Sequence, residues 1–141
     1  IFYERDDVLY VSIHGDPTNF YPGVAGFADE TGAGAGLGFN INLPMPHGAS
    51  ESVFFEQVEQ ALKAIRAFQP DALVFSLGFD IYEHDPQSQV AVSSAGFHRL
   101  GQAVTGLGRP TVYVQEGGYH LDALAHNTEQ FFSGVLQRPA P

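Results

Sequence analysis

A carboxylate and a histidine follow an apolar segment in the middle of the chain. In the stretch LVFSLGFDIYEHDP, the residues Leu73–Leu77 predict a buried strand, and Gly78 ends it. Asp80 lies just beyond this strand, and His84 lies four residues later. Both side chains can bind a hard or borderline cation, so the pair suggests a metal site.

Spacing and turn chemistry separate these two metal-ligand candidates. Residues four apart lie together only on a helix, whereas Pro86 disfavours helical backbone at Asp85 and favours a turn. We therefore interpret His84 as an exposed loop residue and keep Asp80 as the candidate ligand. The alternative for Asp80 is structural, because an aspartate after a strand often caps a turn or a helix.

A phenol follows another predicted strand. The segment VQEGGY places Tyr119 directly after Gly117 and Gly118. Two glycines let the backbone pass close to a bulky neighbour. A phenol at this place could donate a hydrogen bond to a developing oxyanion, or it could fill the top of the core.

The glycine-rich stretch TGAGAGLGFN is the one segment that suggests nucleotide binding. It lacks the third glycine of a dinucleotide-binding fingerprint, because Leu37 stands at that position. It also leads into a predicted strand, whereas a phosphate-binding loop opens a helix. The sequence therefore argues against a nucleotide-binding module.

Strands that alternate with amphipathic helices would position these side chains. The pattern predicts strands at 8–13, 39–43, 72–77 and 110–115, and helices at 52–68, around 97–104 and at 121–135. This order is typical of an α/β fold with a parallel sheet flanked by helices, which binds ligands at the carboxyl ends of its strands. We expect one domain over residues 1–138 and a tail at 139–141.

The composition describes a folded, acidic protein. Hydrophobic residues make up 44% of 141 residues, and 16 Asp and Glu against 6 Lys and Arg give a formal net charge of −10. Such a surface repels phosphate groups and favours cationic ligands, so we expect neither nucleic acid nor membrane as a partner. Without a membrane-length apolar run or a leader pattern, the sequence predicts a cytoplasmic protein.

Three segments resemble one known family. They are VSIHGDPTNFYPGVAGFADETGAGAGLGFNINLPMPHG, PDALVFSLGFDIYEHDP and VQEGGY, in that order. They are similar to the C-terminal part of histone deacetylases and, more closely, of bacterial acetylpolyamine amidohydrolases. The resemblance implies the three-layer arginase/deacetylase fold and zinc-dependent hydrolysis of acetylated polyamines or acetyl-lysine. It also implies that residues 1–138 form the C-terminal half of such a domain.

The resemblance implies roles for single residues as well. Asp80 matches the family's second zinc-binding aspartate, and Tyr119 matches the tyrosine whose hydroxyl stabilises the oxyanion. The substrate channel and the pocket beside the metal are matched by Phe20, Tyr21, Gly117 and Gly118. Backbone oxygens that bind potassium in the family correspond to Ser12 and Ile13 for one ion, and to Phe2, Arg5, Val8 and Phe39 for another.

Two family motifs have no counterpart in this sequence. The adjacent histidines that supply the general base are absent, and so is the Asp-x-His zinc motif. Because a catalytic zinc needs three protein ligands and Asp80 supplies one, we expect a C-terminal fragment that is inactive alone. The alternative is a non-catalytic assembly or binding domain. It would form a homo-oligomer, or pair with a chain carrying the missing N-terminal half, through an exposed sheet edge.

Overall fold

The computed structural model describes residues 1–138, which divide into two compact units. The first unit, Ile1–Phe68, contains β1 (Tyr10–Gly15), a 3-10 turn (Gly34–Gly36), β2 (Asn40–Met45), β3 (Ala49–Ser50) and α1 (Glu51–Phe68). The second, from Gln69 onward, contains β4 (Leu73–Leu77), β5 (Val90–Ala91), α2 (Ser94–Thr105), β6 (Thr111–Gln115) and α3 (Leu121–Val135). The predicted tail at 139–141 lies outside the described residues.

The predicted order of the main strands and helices is confirmed. β1 and β2 each begin one or two residues later than the sequence pattern indicates. α1 and α3 begin and end within one residue of the prediction, whereas α2 begins three residues earlier and ends one residue later. The two-residue strands β3 and β5 and the 3-10 turn were not predicted, because elements of that length carry no periodicity. Within residues 1–138, no helix is both long enough and apolar enough to cross a membrane.

In the first unit, a parallel strand pair is covered by a helix. β1 and β2 pair in parallel, with Tyr10 opposite Asn40 at the start of the register. α1 packs against both strands, and its buried face includes Phe54, Val58 and Leu62. These residues recur every four positions, which is the spacing that places side chains on one side of a helix.

Polar side chains fasten the long loop between β1 and β2 to these strands. The His14 ring on β1 lies 2.8 Å from the Gly26 carbonyl oxygen. The Glu30 carboxylate accepts the N–H groups of Gly26 and Phe27. Asn42 on β2 donates its amide to the Phe27 carbonyl at 3.0 Å. The loop is therefore ordered by hydrogen bonds to its backbone, which a glycine-rich segment with few apolar side chains requires.

In the second unit, β4 and β6 pair in parallel, and one face of this pair packs on α3. The rings of Phe75 and Tyr113 lie 5.9 Å and 5.5 Å from the ring of Phe131. Tyr113 also meets Phe132 edge-on, with the ring centroids 5.5 Å apart. Aromatic pairs at these distances add to the burial of apolar surface, so this cluster joins helix to sheet.

The opposite face of the β4–β6 pair is exposed. Val74 is 77% exposed and Val112 is 60% exposed, and Val114 lies on the same side; we call these three residues the valine face. Side chains alternate across a strand, so the apolar run at 73–77 is shielded on one side only. The prediction of a buried strand is therefore wrong for Val74, because the described part of the second unit has no layer on that side.

Two glycines bring α2 and α3 into backbone contact. A Cβ atom at Gly101 of α2 would overlap the Phe131 carbonyl oxygen, and one at Gly134 of α3 would lie 3.0 Å from the backbone nitrogen of Gln102. Phe97 and Phe131 are fully buried beside this contact. Only glycine permits two helices to approach this closely without a shift of the backbone.

We expect Gly101→Ala to destabilise the chain, because the new methyl group would overlap the Phe131 carbonyl. Overpacking costs about 1–3 kcal/mol, and an overlap with a backbone atom falls in the upper part of that range, about 2–3 kcal/mol. The better helix propensity of alanine returns about 1 kcal/mol. Urea unfolding followed by circular dichroism should therefore show a free energy of unfolding lower by about 1–2 kcal/mol.

Gly106→Ala is the matched control for this substitution. Gly106 ends α2 with a φ of −63°, and a Cβ atom there would meet nothing nearer than the Gln102 carbonyl oxygen at 3.2 Å. We expect unchanged or slightly higher stability for it. Equal stability of Gly101→Ala and the unaltered chain would show that the two helices separate without cost.

Candidate functional site

Asp80 lies in the turn that follows β4. The strand ends at Leu77, but the Phe79 N–H donates to the Gly117 carbonyl oxygen at 2.8 Å, so the pairing with the β6 segment continues past both strand ends. The Tyr82 N–H then donates to the Phe79 carbonyl oxygen at 3.1 Å and closes the turn. Asp80 therefore stands at the carboxyl end of a parallel strand pair, where α/β folds bind their ligands.

The Asp80 carboxyl group lies against the backbone of Gly117. A Cβ atom at Gly117 would lie 2.6 Å from Asp80 Cγ, which leaves no room for a side chain. Gly118 follows with a φ of +145°, and a Cβ atom there would lie 3.0 Å from Phe79 Cβ. The two glycines thus allow the loop after β6 to pass directly over the turn that carries Asp80.

Partial withdrawal from water makes Asp80 an unusual carboxyl group. Burial raises its pKa above the ordinary 3.8, a backbone hydrogen bond partly offsets this rise, and the negative charge of Asp85 adds to it. Within residues 1–138, no cationic side chain lowers this pKa. Because a buried carboxylate is stabilised by pairing or by metal coordination, this group is suited to bind a cation.

The described residues supply one donor of a metal site and not a complete set. Nowhere in residues 1–138 do three His, Cys, Asp or Glu side chains come together as a metal-binding group. His84 is exposed and meets the Tyr82 ring edge-on at 5.3 Å, which agrees with its interpretation as a loop residue. Since a zinc site needs three or four protein ligands, Asp80 fits as one of them.

Tyr119 stands at the start of the segment that leads into α3. Its side chain is 56% exposed. Its backbone N–H donates to Asp85 Oδ2 at 2.7 Å. The phenol is therefore accessible to a ligand, and the alternative in which it fills the top of the core does not describe this structure. The second unit thus brings Asp80, Gly117, Gly118 and Tyr119 to one end of the β4–β6 pair.

Asp85 is the residue of this region that sequence reasoning missed. The sequence indicates only a turn at Asp85–Pro86, and the turn is present, because the Gln87 N–H donates to Asp85 Oδ1 at 2.9 Å. The same carboxylate also accepts the N–H groups of Tyr119 and His120, 34 and 35 positions later. A long-range bond of this kind leaves no local sequence pattern.

Phe20 and Tyr21, the predicted channel residues, lie in the first unit on an open cleft of about 610 Å³. Tyr21 is exposed, and the Phe20 ring meets the His47 ring edge-on at 5.5 Å. Exposed aromatic rings can contact an apolar stem or a cation. All of the lining residues belong to this unit, and they include Phe2, Tyr3, Tyr10, Ser12, His14 and Glu30.

The residues matched to potassium sites also lie in the first unit, namely Phe2, Arg5, Val8, Ser12, Ile13 and Phe39. The Phe2 carbonyl oxygen accepts the Arg5 N–H at 3.0 Å, and the Phe39 carbonyl oxygen accepts the Tyr10 N–H at 2.9 Å. A carbonyl oxygen keeps a second lone pair after one such bond. The geometry is thus compatible with a cation without indicating one, and the potassium assignment stays a prediction.

Sequence comparison identifies relatives of this chain. The histone deacetylase domain model matches residues 1–135. The chain is 67% identical over 134 residues to an acetylpolyamine amidohydrolase of Burkholderia pseudomallei and 45% identical over 134 residues to acetylpolyamine amidohydrolase 1 of Pseudomonas aeruginosa. Each alignment covers 95% of this chain but 39% of the relative, so the chain spans well under half of their length.

Solved structures show the same relationship. The crystal structure of acetylpolyamine aminohydrolase from Burkholderia pseudomallei matches with a TM-score of 0.94 at 67% identity, over 95% of this chain and 39% of that one. A histone deacetylase homologue from Aquifex aeolicus matches with a TM-score of 0.91 at 31% identity, over 99% of this chain and 38% of that one. The predicted α/β fold of the arginase/deacetylase type and the family resemblance are both confirmed. The chain belongs to the histone deacetylase family.

Proposed function

We propose that this chain is the C-terminal part of a zinc-dependent deacetylase or amidohydrolase acting on acetylated polyamines or acetyl-lysine. The observation that carries this proposal is the partly buried Asp80 carboxyl group against Gly117, in the segment that continues to the exposed Tyr119. The 67% identity to a protein named acetylpolyamine amidohydrolase supports the substrate class. Because the chain spans 39% of that relative, the activity is assigned to the complete protein.

Asp80 would be one ligand of Zn²⁺, and the remaining ligands would come from outside the described residues. When bound, Zn²⁺ supplies Lewis-acid chemistry that polarises a carbonyl group and makes water a stronger nucleophile at neutral pH. The turn at Asp80 is fixed by the Phe79 hydrogen bond to Gly117. Its carboxyl group is therefore oriented before any ion binds, which lowers the conformational entropy lost on binding.

Tyr119 would stabilise the charge that develops on the substrate. Its exposed hydroxyl group would donate a hydrogen bond to the oxygen of the acetyl carbonyl as that oxygen becomes negative. A donor of this kind acts most strongly when its position is fixed in advance. The closely packed glycines before Tyr119 favour such a position.

The substrate stem would contact aromatic and glycine residues. Phe20 and Tyr21 would line the substrate channel. Gly117 and Gly118 would form part of the pocket wall close to the metal. The net charge of −10 favours the approach of a cationic polyamine. In the complete protein, backbone oxygens would bind two structural potassium ions, one at Ser12 and Ile13 and the other at Phe2, Arg5, Val8 and Phe39.

A non-catalytic assembly or binding domain is the second candidate function, and the valine face favours it. Val74, Val112 and Val114 form an exposed apolar surface on a sheet. Apolar sheet surfaces mark contacts with other protein layers. The occupant would be a second copy of this chain, or the missing part of the family domain carried by a partner.

The isolated chain is expected to bind substoichiometric zinc and to show no turnover. One carboxylate does not hold a catalytic zinc ion, and the chain offers no group of three ligands within residues 1–138. Metal analysis after dialysis, with a fluorogenic acetyl-lysine assay on the same sample, measures both properties. Robust activity that Asp80→Ala abolishes would show that our ligand count is wrong.

In the complete protein, substitutions at Asp80 and Tyr119 are expected to separate metal binding from catalysis. Asp80→Asn should remove both bound zinc and turnover, since a ligand charge is lost. Tyr119→Phe should keep the zinc but lower kcat about 10²–10³-fold, which is the usual effect of removing one oxyanion donor. Glu83→Gln, an exposed carboxylate three residues from Asp80, is the control and should change neither. Loss of zinc in Tyr119→Phe, or normal zinc in Asp80→Asn, would contradict the assignment.

Gel filtration with light scattering at micromolar concentration tests the second candidate. If the valine face joins two copies of the chain, the sample should be dimeric or larger. Val112→Lys should then shift it toward monomer, because a lysine in an apolar contact carries a desolvation cost. Lys63→Glu, a substitution at an exposed position of α1, is the control. A clean monomer for the unaltered chain would count against self-association.

A further inference from the structure

We infer that Asp85 is a positioning residue for Tyr119, acting by holding the backbone of the segment that presents the phenol. The inference rests on the proposed function, in which Tyr119 stabilises the oxyanion, and it adds a residue that this function does not include. It comes from hydrogen bonds within the second unit. It requires no contact with the rest of the chain.

The Asp85 side chain is buried and each of its oxygens accepts backbone N–H groups. The residue is 7% exposed. Its Oδ2 accepts the N–H of Tyr119 at 2.7 Å and the N–H of His120 at 2.9 Å. Its Oδ1 accepts the N–H of Gln87 at 2.9 Å, within its own turn. One carboxylate therefore joins the turn after β4 to the segment before α3.

This attachment holds the part of the segment that lies beyond the contacts of Gly117 and Gly118. The Gly117 carbonyl oxygen accepts the Phe79 N–H and Gly118 packs against Phe79, but these contacts end one residue before Tyr119. The hydrogen bond at the Tyr119 N–H thus anchors the residue that carries the phenol. The direction of the Tyr119 Cα–Cβ bond follows the backbone at that residue. Holding the N–H groups of Tyr119 and His120 therefore limits the positions that the hydroxyl group can take.

The start of α3 depends on the same carboxylate. His120 is the N-cap residue, and its side chain makes no capping hydrogen bond. The N-terminus of a helix carries unpaired N–H groups and a partial positive charge, which a nearby carboxylate stabilises. Asp85, in the turn after β4, supplies that carboxylate. The same side chain therefore holds both Tyr119 and the start of α3.

A carboxylate is needed here, and an amide of the same shape is not equivalent. Asparagine has one acceptor oxygen and one NH₂ group in place of two oxygens. In one orientation its NH₂ group faces the N–H groups of Tyr119 and His120, and in the other it faces that of Gln87. Asp85→Asn therefore breaks one side of the attachment in either orientation, with little change in volume.

The test is a double-mutant cycle in the complete, zinc-loaded protein. Asp85→Asn in the unaltered background should lower kcat about 10–100-fold, because small misplacements of a catalytic group have effects of that size. KM should stay within about twofold, since the loss is confined to the transition state. In the Tyr119→Phe background the same substitution should change kcat less than about twofold, because Asp85 acts through the absent hydroxyl group. Equal losses of kcat in the two backgrounds would overturn the inference.

Hydrogen exchange gives a readout that does not depend on activity. The amides of Tyr119 and His120 should be protected in the unaltered protein and should exchange at least about tenfold faster in Asp85→Asn, with the α1 amides unchanged. Glu83→Gln, which removes an exposed charge from the same turn, should leave kcat and both amides unaltered. Unchanged protection of Tyr119 and His120 in Asp85→Asn would overturn the anchoring step.

A third variant keeps the inference testable if Asp85→Asn does not fold. Asp85→Glu retains both acceptor oxygens on a longer side chain, and it should give a smaller loss of kcat with the same dependence on Tyr119. An equal loss of kcat in the Tyr119→Phe background would again contradict the inference. If the Tyr119→Phe variant had a normal kcat, the proposed role of Tyr119 would be wrong. The catalytic part of this inference would then be wrong as well. Hydrogen exchange would then still report whether Asp85 anchors the segment.

Discussion

The hydrogen bond from the Phe79 N–H to the Gly117 carbonyl oxygen is the interaction on which the candidate site depends. It extends the parallel pairing of β4 and β6 beyond the last residue of either strand, so two connecting segments run side by side. One segment carries the Asp80 carboxyl group, and the other passes directly over it. Two glycines are therefore needed where the segments meet, because any side chain at Gly117 would overlap Asp80. The raised pKa of Asp80 follows from the same closeness, since the crossing segment shields the carboxyl group from water.

Both units order their irregular segments by the same device, a carboxylate that accepts two consecutive backbone N–H groups. Glu30 accepts those of Gly26 and Phe27 in the first unit. Asp85 accepts those of Tyr119 and His120 in the second. A loop that carries ligand-facing side chains has few apolar residues to bury, so its backbone groups need polar partners. Charged acceptors are well suited to this task, because hydrogen bonds to an ionised group are stronger than those between neutral groups.

The part of the fold that could be predicted from the sequence is the part encoded by periodicity. The apolar spacing in α1 and the alternation of strands with helices indicated the element order, and the strand-end argument placed Asp80 and Tyr119 at the ends of a parallel pair. The two-residue strands, the long-range bonds of Asp85 and the open valine face could not be predicted. The two-residue strands are too short to show a pattern, and the hydrogen bonds of Asp85 join residues 34 and 35 positions apart. The valine face is invisible because an apolar strand has the same sequence whether or not a layer covers its second side.

The glycine contact between α2 and α3 has a consequence for the region at the other end of α3. Side chains that interdigitate can change rotamer to absorb a misfit, but two backbones in direct contact have no adjustable part. Because of the contacts at Gly101 and Gly134, α3 can occupy only one position along the axis of α2. α3 has 15 residues and bends little, so this contact also fixes the position of its first turn. The placement of the phenol is therefore set from both ends of α3. A carboxylate fixes the start of the helix, and a contact near its last turn, made without any side chain, prevents it from sliding.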